Sequence, residues 1–210
     1  MKLKRFNLIL LLALLVTVGG VYAAWHYNDQ MPAEASFPKG IEMGILEGQS
    51  TYGTISAKDS GLAFTVSNDG SYNTTLSVTG NFQVQFTPII SADVPTEVQN
   101  NGIYLKVRVV YDAAEYTFPN NTTDYPNFAG QSILGAGKDY VIINAGNRVK
   151  DLTTIDASQL AGLLVLNTFK LDTVDKYNEF NSFLSTCPDV TLYIGEATQA
   201  EVDAWNLANS

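Results

Sequence analysis

Histidine and cysteine are nearly absent from this chain. Among 210 residues there is one of each, His26 and Cys187. A single histidine leaves a zinc hydrolase without its ligands and leaves little for imidazole-based acid–base catalysis. A single cysteine excludes an internal disulfide framework and a cysteine-rich metal site. Basic residues are also scarce, 12 Lys and Arg against 21 Asp and Glu, for a formal net charge of −9. Such an acidic surface repels a phosphate backbone, so nucleic acid is not an expected partner. What is present is apolar and aromatic. Hydrophobic residues make up 46%, with 11 Tyr and 10 Phe, too much core material for a disordered chain. The length fits one all-β domain or at most two small domains. These counts favour a structural or binding protein over an enzyme, with no catalytic, cofactor or metal residues expected.

The first residues have the layout of an export signal. Lys2, Lys4 and Arg5 form a basic start, and the run LILLLALLVTV from Leu8 to Val18 is almost wholly apolar. Gly19-Gly20 breaks that run. Val21-Tyr22-Ala23 then places small residues where a signal peptidase requires them, which predicts a cut between Ala23 and Ala24. The alternative is an uncleaved anchor, since Phe6 to Trp25 is roughly the span of a bilayer. Cleavage would remove three of the 12 basic residues and no acidic one, leaving nine against 21, a charge of −12. Residues 1–23 are therefore expected as a signal peptide forming an N-terminal signal helix. Residues 24–40, polar and carrying Pro32 and Pro38, are expected as an arm, and residues 41–210 as a single domain.

The stretch GGVYAAWHYND (Gly19 to Asp29) resembles the signal-peptide junction of the TasA/camelysin group. These are exported proteins of Gram-positive bacteria, cut by a dedicated SipW-type signal peptidase. Ala23, Ala24 and Trp25 match the group's pattern position by position, while His26-Tyr27 inserts two residues before Asn28-Asp29. Ala35-Ser36-Phe37 followed by Gly40-Ile41-Glu42-Met43 is similar to the first mature strand of such proteins. The motif covers about a dozen residues, and beyond residue 47 the likeness is one of strand pattern. The resemblance implies a secreted jelly-roll-like β-sandwich that joins the biofilm matrix or cell surface as a structural subunit. Camelysin-type members have been described as metalloproteases. With one histidine and no His-Glu-x-x-His pair, that label does not carry over to this chain.

Along the mature chain, short β-rich runs recur between turn residues. They are expected at 41–47, 51–57, 62–67, 74–79, 82–86, 103–111, 116–118, 140–143, 163–171 and 190–194. Phe82-Gln-Val84-Gln-Phe86 and Leu105-Lys-Val107-Arg-Val109 alternate with period two, the mark of strands with one face on a core. Asn68-Asp69-Gly70 and Thr79-Gly80-Asn81 are expected hairpin turns with positive φ. Two helices are expected. One spans 173–184, with Val174, Tyr177, Phe180 and Leu184 on one stripe; the other starts at the capping box Thr198-Gln-Ala-Glu201 and carries Val202 and Trp205. The expected fold is mainly β, an antiparallel, jelly-roll-like sandwich with one or two short surface helices.

Segments with a semblance of chemistry have plainer readings. Gly130 to Asp139 looks like a phosphate loop, but Ser132 stands where its first glycine belongs and Asp139 replaces the Ser or Thr. It is expected as a flexible loop, and the overlapping segment 119–137 as a long loop rich in Asn, Thr, Gly and Pro. Asp112, Glu115, Asp151, Asp156, Asp172 and Asp175 offer oxygen ligands for calcium but lack EF-hand spacing, and are expected as turn or helix-start carboxylates. Cys187 is expected as a small core residue, with chain cross-linking as the alternative. Two functions remain. The first is a non-catalytic matrix subunit whose arm, with Trp25 and Tyr27 on one face, adds a strand to a neighbour. Its partners are then copies of itself or other matrix proteins, with signal peptidase during export and the membrane met only through the signal peptide. The second is an extracellular glycan-binding module using Tyr104, Tyr111, Tyr116, Tyr125 and Phe128 as a stacking platform.

Overall fold

The structure is a computed structural model, and its described residues are 43–47, 49–59 and 61–209. The expected signal helix, the cut between Ala23 and Ala24, and the arm residues Trp25 and Tyr27 lie outside them. The chain is mainly antiparallel β with a few short helices. One four-stranded sheet has the order β1 (Met43–Glu47), β12 (Val190–Ala197), β7 (Tyr104–Val110), β9 (Val141–Ile142). Its strands are antiparallel except that β1 runs parallel to β12. The second sheet is wholly antiparallel, in the order β10 (Thr153–Asp156), β6 (Asn81–Pro88), β3 (Gly53–Asp59), β2 (Gln49–Ser50). The chain passes from the first sheet to the second between β1 and β2. A hairpin of β4 (Ala63–Asn68) and β5 (Thr74–Thr79) and a short pair of β8 (Leu134–Gly135) with β11 (Val165–Leu166) complete the β structure.

Period-two alternation accounts for this core. Phe82, Val84 and Phe86 of β6, Leu105 and Val107 of β7, Leu192 and Ile194 of β12, and Phe64 and Val66 of β4 all point into one hydrophobic cluster. The intervening Gln, Lys, Arg and Thr stay at the surface, as expected for strands with one buried face. Among the described residues three helices flank the sheets: α1 (Thr96–Asn101), α2 (Val174–Leu184) and α3 (Gln199–Ala208). No helix among the described residues is long and apolar enough to cross a membrane. Helix α2 begins where the Thr173 hydroxyl accepts from the Lys176 N–H, and it buries Phe180, Phe183 and Leu184. The α3 capping box is formed: Thr198 Oγ1 accepts from the Glu201 N–H at 3.3 Å, and Glu201 Oε2 accepts from the Thr198 N–H at 2.8 Å.

Four local expectations change. Residues 116–118 keep only an isolated antiparallel bridge, Thr117 with Ser132, because the Asp112 carboxylate accepts from the Ala114 N–H and winds 113–116 into a 3-10 turn. Gly70 has no positive φ. Asp69 instead closes the turn by accepting from the Ser71 and Asn73 N–H groups, and Tyr72 takes the left-handed conformation at φ 65°. The stretch 163–171 is strand only at Val165–Leu166. Its Phe169 carbonyl accepts from the Thr74 N–H, and the Asn167 carbonyl from the Thr74 hydroxyl, so it bends over the hairpin while still burying Leu163, Leu164, Phe169 and Leu171. The long segment 119–137 is packed, with Phe128, Ile133 and Leu134 buried.

Glu179 of α2 anchors that segment. Its carboxylate accepts from the Asn127 N–H, the Asn127 side-chain amide (2.6 Å) and the Phe128 N–H (3.0 Å). Glu179→Ala strands these donors and is expected to cost about 1–3 kcal/mol in urea unfolding. Glu179→Gln keeps one acceptor oxygen and should recover part of that loss. A cost below about 0.5 kcal/mol for the alanine variant would mean that water replaces the carboxylate without penalty.

Candidate functional site

A groove of about 680 Å³ lies on the outer face of the first sheet. Because Leu105 and Val107 point inward, Lys106 and Arg108 point out of β7. The strand register then sets Arg108 opposite Tyr193 and Lys106 opposite Gly195 of β12. Gly195 contributes no side chain, and the Tyr193 ring leans across it: a Cβ built there would stand 3.0 Å from the ring edge. The absent side chain gives the groove its floor. Tyr52 and Thr51, beyond the first sheet's edge, and Tyr140 and Asp139, ahead of β9, form its walls.

Helix α3 closes one end. Val202 packs with Ile142 and Ala197 in a small second core bordered by Tyr104, Tyr140 and Trp205. The Lys106 ammonium donates to the Glu201 carboxylate, joining the capping box to the sheet, and lies 5.7 Å from the centre of the Tyr140 ring. Burial alone would raise the Glu201 carboxyl, but Lys106 and the Thr198 N–H together outweigh it and hold the group below its ordinary range. Glu196 is engaged as well, since its Oε2 accepts from the Ser50 hydroxyl at 2.6 Å.

Arg108 differs from the other arginine near this face. Arg148 stacks over Tyr104 at 4.4 Å and also has acceptors, the Gly102 carbonyl at 3.1 Å and the Glu97 carboxylate at 3.1 Å. Arg108 stacks over Tyr193 at 4.5 Å but has no hydrogen-bond acceptor or carboxylate partner among the described residues. Asp139, also exposed on the groove, accepts no hydrogen bond among them. The groove therefore presents a guanidinium fork over a ring, a carboxylate and three tyrosines, with polar capacity unspent.

The loop aromatics form no platform. Tyr116 and Phe128 are buried, and the Tyr116 hydroxyl donates to the Pro188 carbonyl. Tyr111 packs edge-on to Tyr116 at 5.5 Å, Tyr125 edge-on to Phe118 at 5.5 Å, and Tyr104 lies under Arg148. The carboxylates weighed for calcium are dispersed. Asp112 and Asp156 cap 3-10 turns, and Asp172 pairs with Lys170 and Lys176. Among the described residues no three His, Cys, Asp or Glu side chains gather as a metal site. Cys187 is buried in the main core, which removes its thiol from a neighbouring chain's reach. His26 lies outside the described residues.

Sequence reading alone did not single out the groove residues, although Lys106-Val-Arg108 alternation already placed both cations on one outer face. What it lacked was the partner strand, which brings Tyr193 and Gly195 from the far end of the chain. Comparison of the chain with protein-family models, with curated proteins and with solved structures finds no match.

Proposed function

We propose that this chain is an exported structural subunit of a bacterial extracellular matrix, a TasA/camelysin-like protein folded as a jelly-roll-like β-sandwich. In this reading the leader is cut between Ala23 and Ala24, the protein is secreted or held at the cell surface, and it performs no catalysis. It associates with copies of itself or with other matrix proteins through the arm that carries Trp25 and Tyr27.

The observation that carries the reading is the position of β1. It follows directly on residues 24–40 and lies at the edge of its sheet, bonded on one side to β12. No strand among the described residues pairs with its other side. An edge strand offers a row of unpaired N–H and C=O groups to a neighbouring chain. In this reading the arm adds a strand to a second copy, with Trp25 and Tyr27 sharing one strand face for the neighbour's pockets.

The test compares a chain starting at Ala24 with one starting at Ala33, by sedimentation and electron microscopy. Polymers are expected from the first and a monomer from the second. Equal polymerisation of both, or a strictly monomeric Ala24 form, would sink the proposal.

A further inference from the structure

From the groove on the first sheet we infer a binding site for glycans whose pyranose units carry carboxylates, with Arg108 as the anchor and Asp139 as the hydroxyl acceptor. The inference concerns a site and a ligand class that strand addition through the arm neither uses nor requires.

Arg108 carries the argument. A guanidinium presents its donors as a rigid fork that fits a carboxylate bidentately. Its guanidinium carbon lies 4.5 Å from the centre of the Tyr193 ring, a contact that restricts the side chain and so lowers the order lost when a ligand arrives. The nearby cation, Lys106, is already neutralised by Glu201, whereas Arg108 has no acid among the described residues. The same stack at Arg148 is completed by Glu97, which shows the arrangement with its carboxylate in place.

The remaining groove fits a sugar ring better than a bare anion. Asp139 has free lone pairs for ring hydroxyls, and Thr51 and Thr198 add short polar groups. Tyr52 and Tyr140 offer apolar ring surface along the walls, and the Tyr193 ring lies across Gly195 on the floor. A uronate unit has what these groups require at once: a carboxylate, vicinal hydroxyls and an apolar ring face. The chain's overall charge of −9 opposes a polyanion at a distance. At physiological ionic strength that repulsion fades within about 8 Å, so contact chemistry at Arg108 decides the outcome.

The test titrates the full chain, by calorimetry, with trigalacturonate and with its methyl ester, which keeps the shape and removes the charge. The free acid is expected to bind at least about tenfold more tightly than the ester, and less tightly as salt is raised. Arg108→Met, which keeps a chain over Tyr193, should lose about tenfold or more, and Arg108→Lys should lose part of that by giving up the fork. Arg108 is exposed, so both variants should unfold at the wild-type temperature. Equal binding of acid and ester, no binding of either, or unchanged binding by the Met variant would overturn the inference. Sedimentation of the same samples reports assembly separately, so failure here is distinct from failure of the matrix reading.

Discussion

Phe118→Ala is expected to destabilise the protein by about 3–5 kcal/mol, the range for removing a buried aromatic ring. Phe118 is 1% exposed and sits among five other rings. It stacks on Phe183 at 4.1 Å and meets Tyr125, Phe128, Phe169 and Phe180 at centroid distances of 5.4–6.2 Å. These rings come from the long segment, from the bend at 163–171 and from α2, so no single element can move inward to fill the gap. Urea unfolding monitored by near-ultraviolet circular dichroism would give both the loss and the change in ring packing. Phe118→Leu restores part of the volume and should cost about 1.5 kcal/mol. An alanine penalty below about 1 kcal/mol would show that the segment collapses into the space and that the ring cluster is not what holds it.

Gly102→Ala should cost about 2–4 kcal/mol, for a backbone reason. Gly102 follows α1 with φ 79°, its N–H returning to the Val98 carbonyl. An added Cβ would stand 1.9 Å from the Val149 carbonyl oxygen, far inside any real contact. That oxygen cannot retreat, because it accepts from the Ile103 N–H in the bridge that ties Ile103 to Val149. Gly70→Ala is the matched control. Its φ is not positive and nothing lies within 4 Å of the new atom, so it should be neutral or stabilising by up to about 1 kcal/mol. Similar unfolding midpoints for the two variants would refute this account of Gly102.

How much of this was legible in the sequence depends on where the deciding interaction lies. Strands such as β5 and β6 are encoded by their own alternation, and the α2 and α3 starts by a threonine accepting from a residue three positions on. Those signals are local. The 3-10 turn at 113–116 went unrecognised because the Asp112 cap competes with an apolar pattern that also suits a strand. The stretch 163–171 has enough apolar residues for a long strand, yet its backbone bonds go to Tyr72 and Thr74, contacts that no local pattern contains. Helix α1 has one buried residue, Val98, too little for a helical stripe. The groove lay beyond local reading for the same cause. Each of its residues is ordinary alone, and their meaning comes from register between strands remote in the chain.

The parallel pairing of β1 with β12 has a mechanical consequence. Force applied at the start of β1 and at the end of α3 pulls these two adjacent strands in opposite directions along their common axis. Their hydrogen bonds then bear the load together, in shear, whereas an antiparallel pair held at one end would open one bond at a time. Forced unfolding is governed by the unfolding barrier and not by equilibrium stability. A clamp of this kind resists extension beyond what its thermal stability alone would suggest.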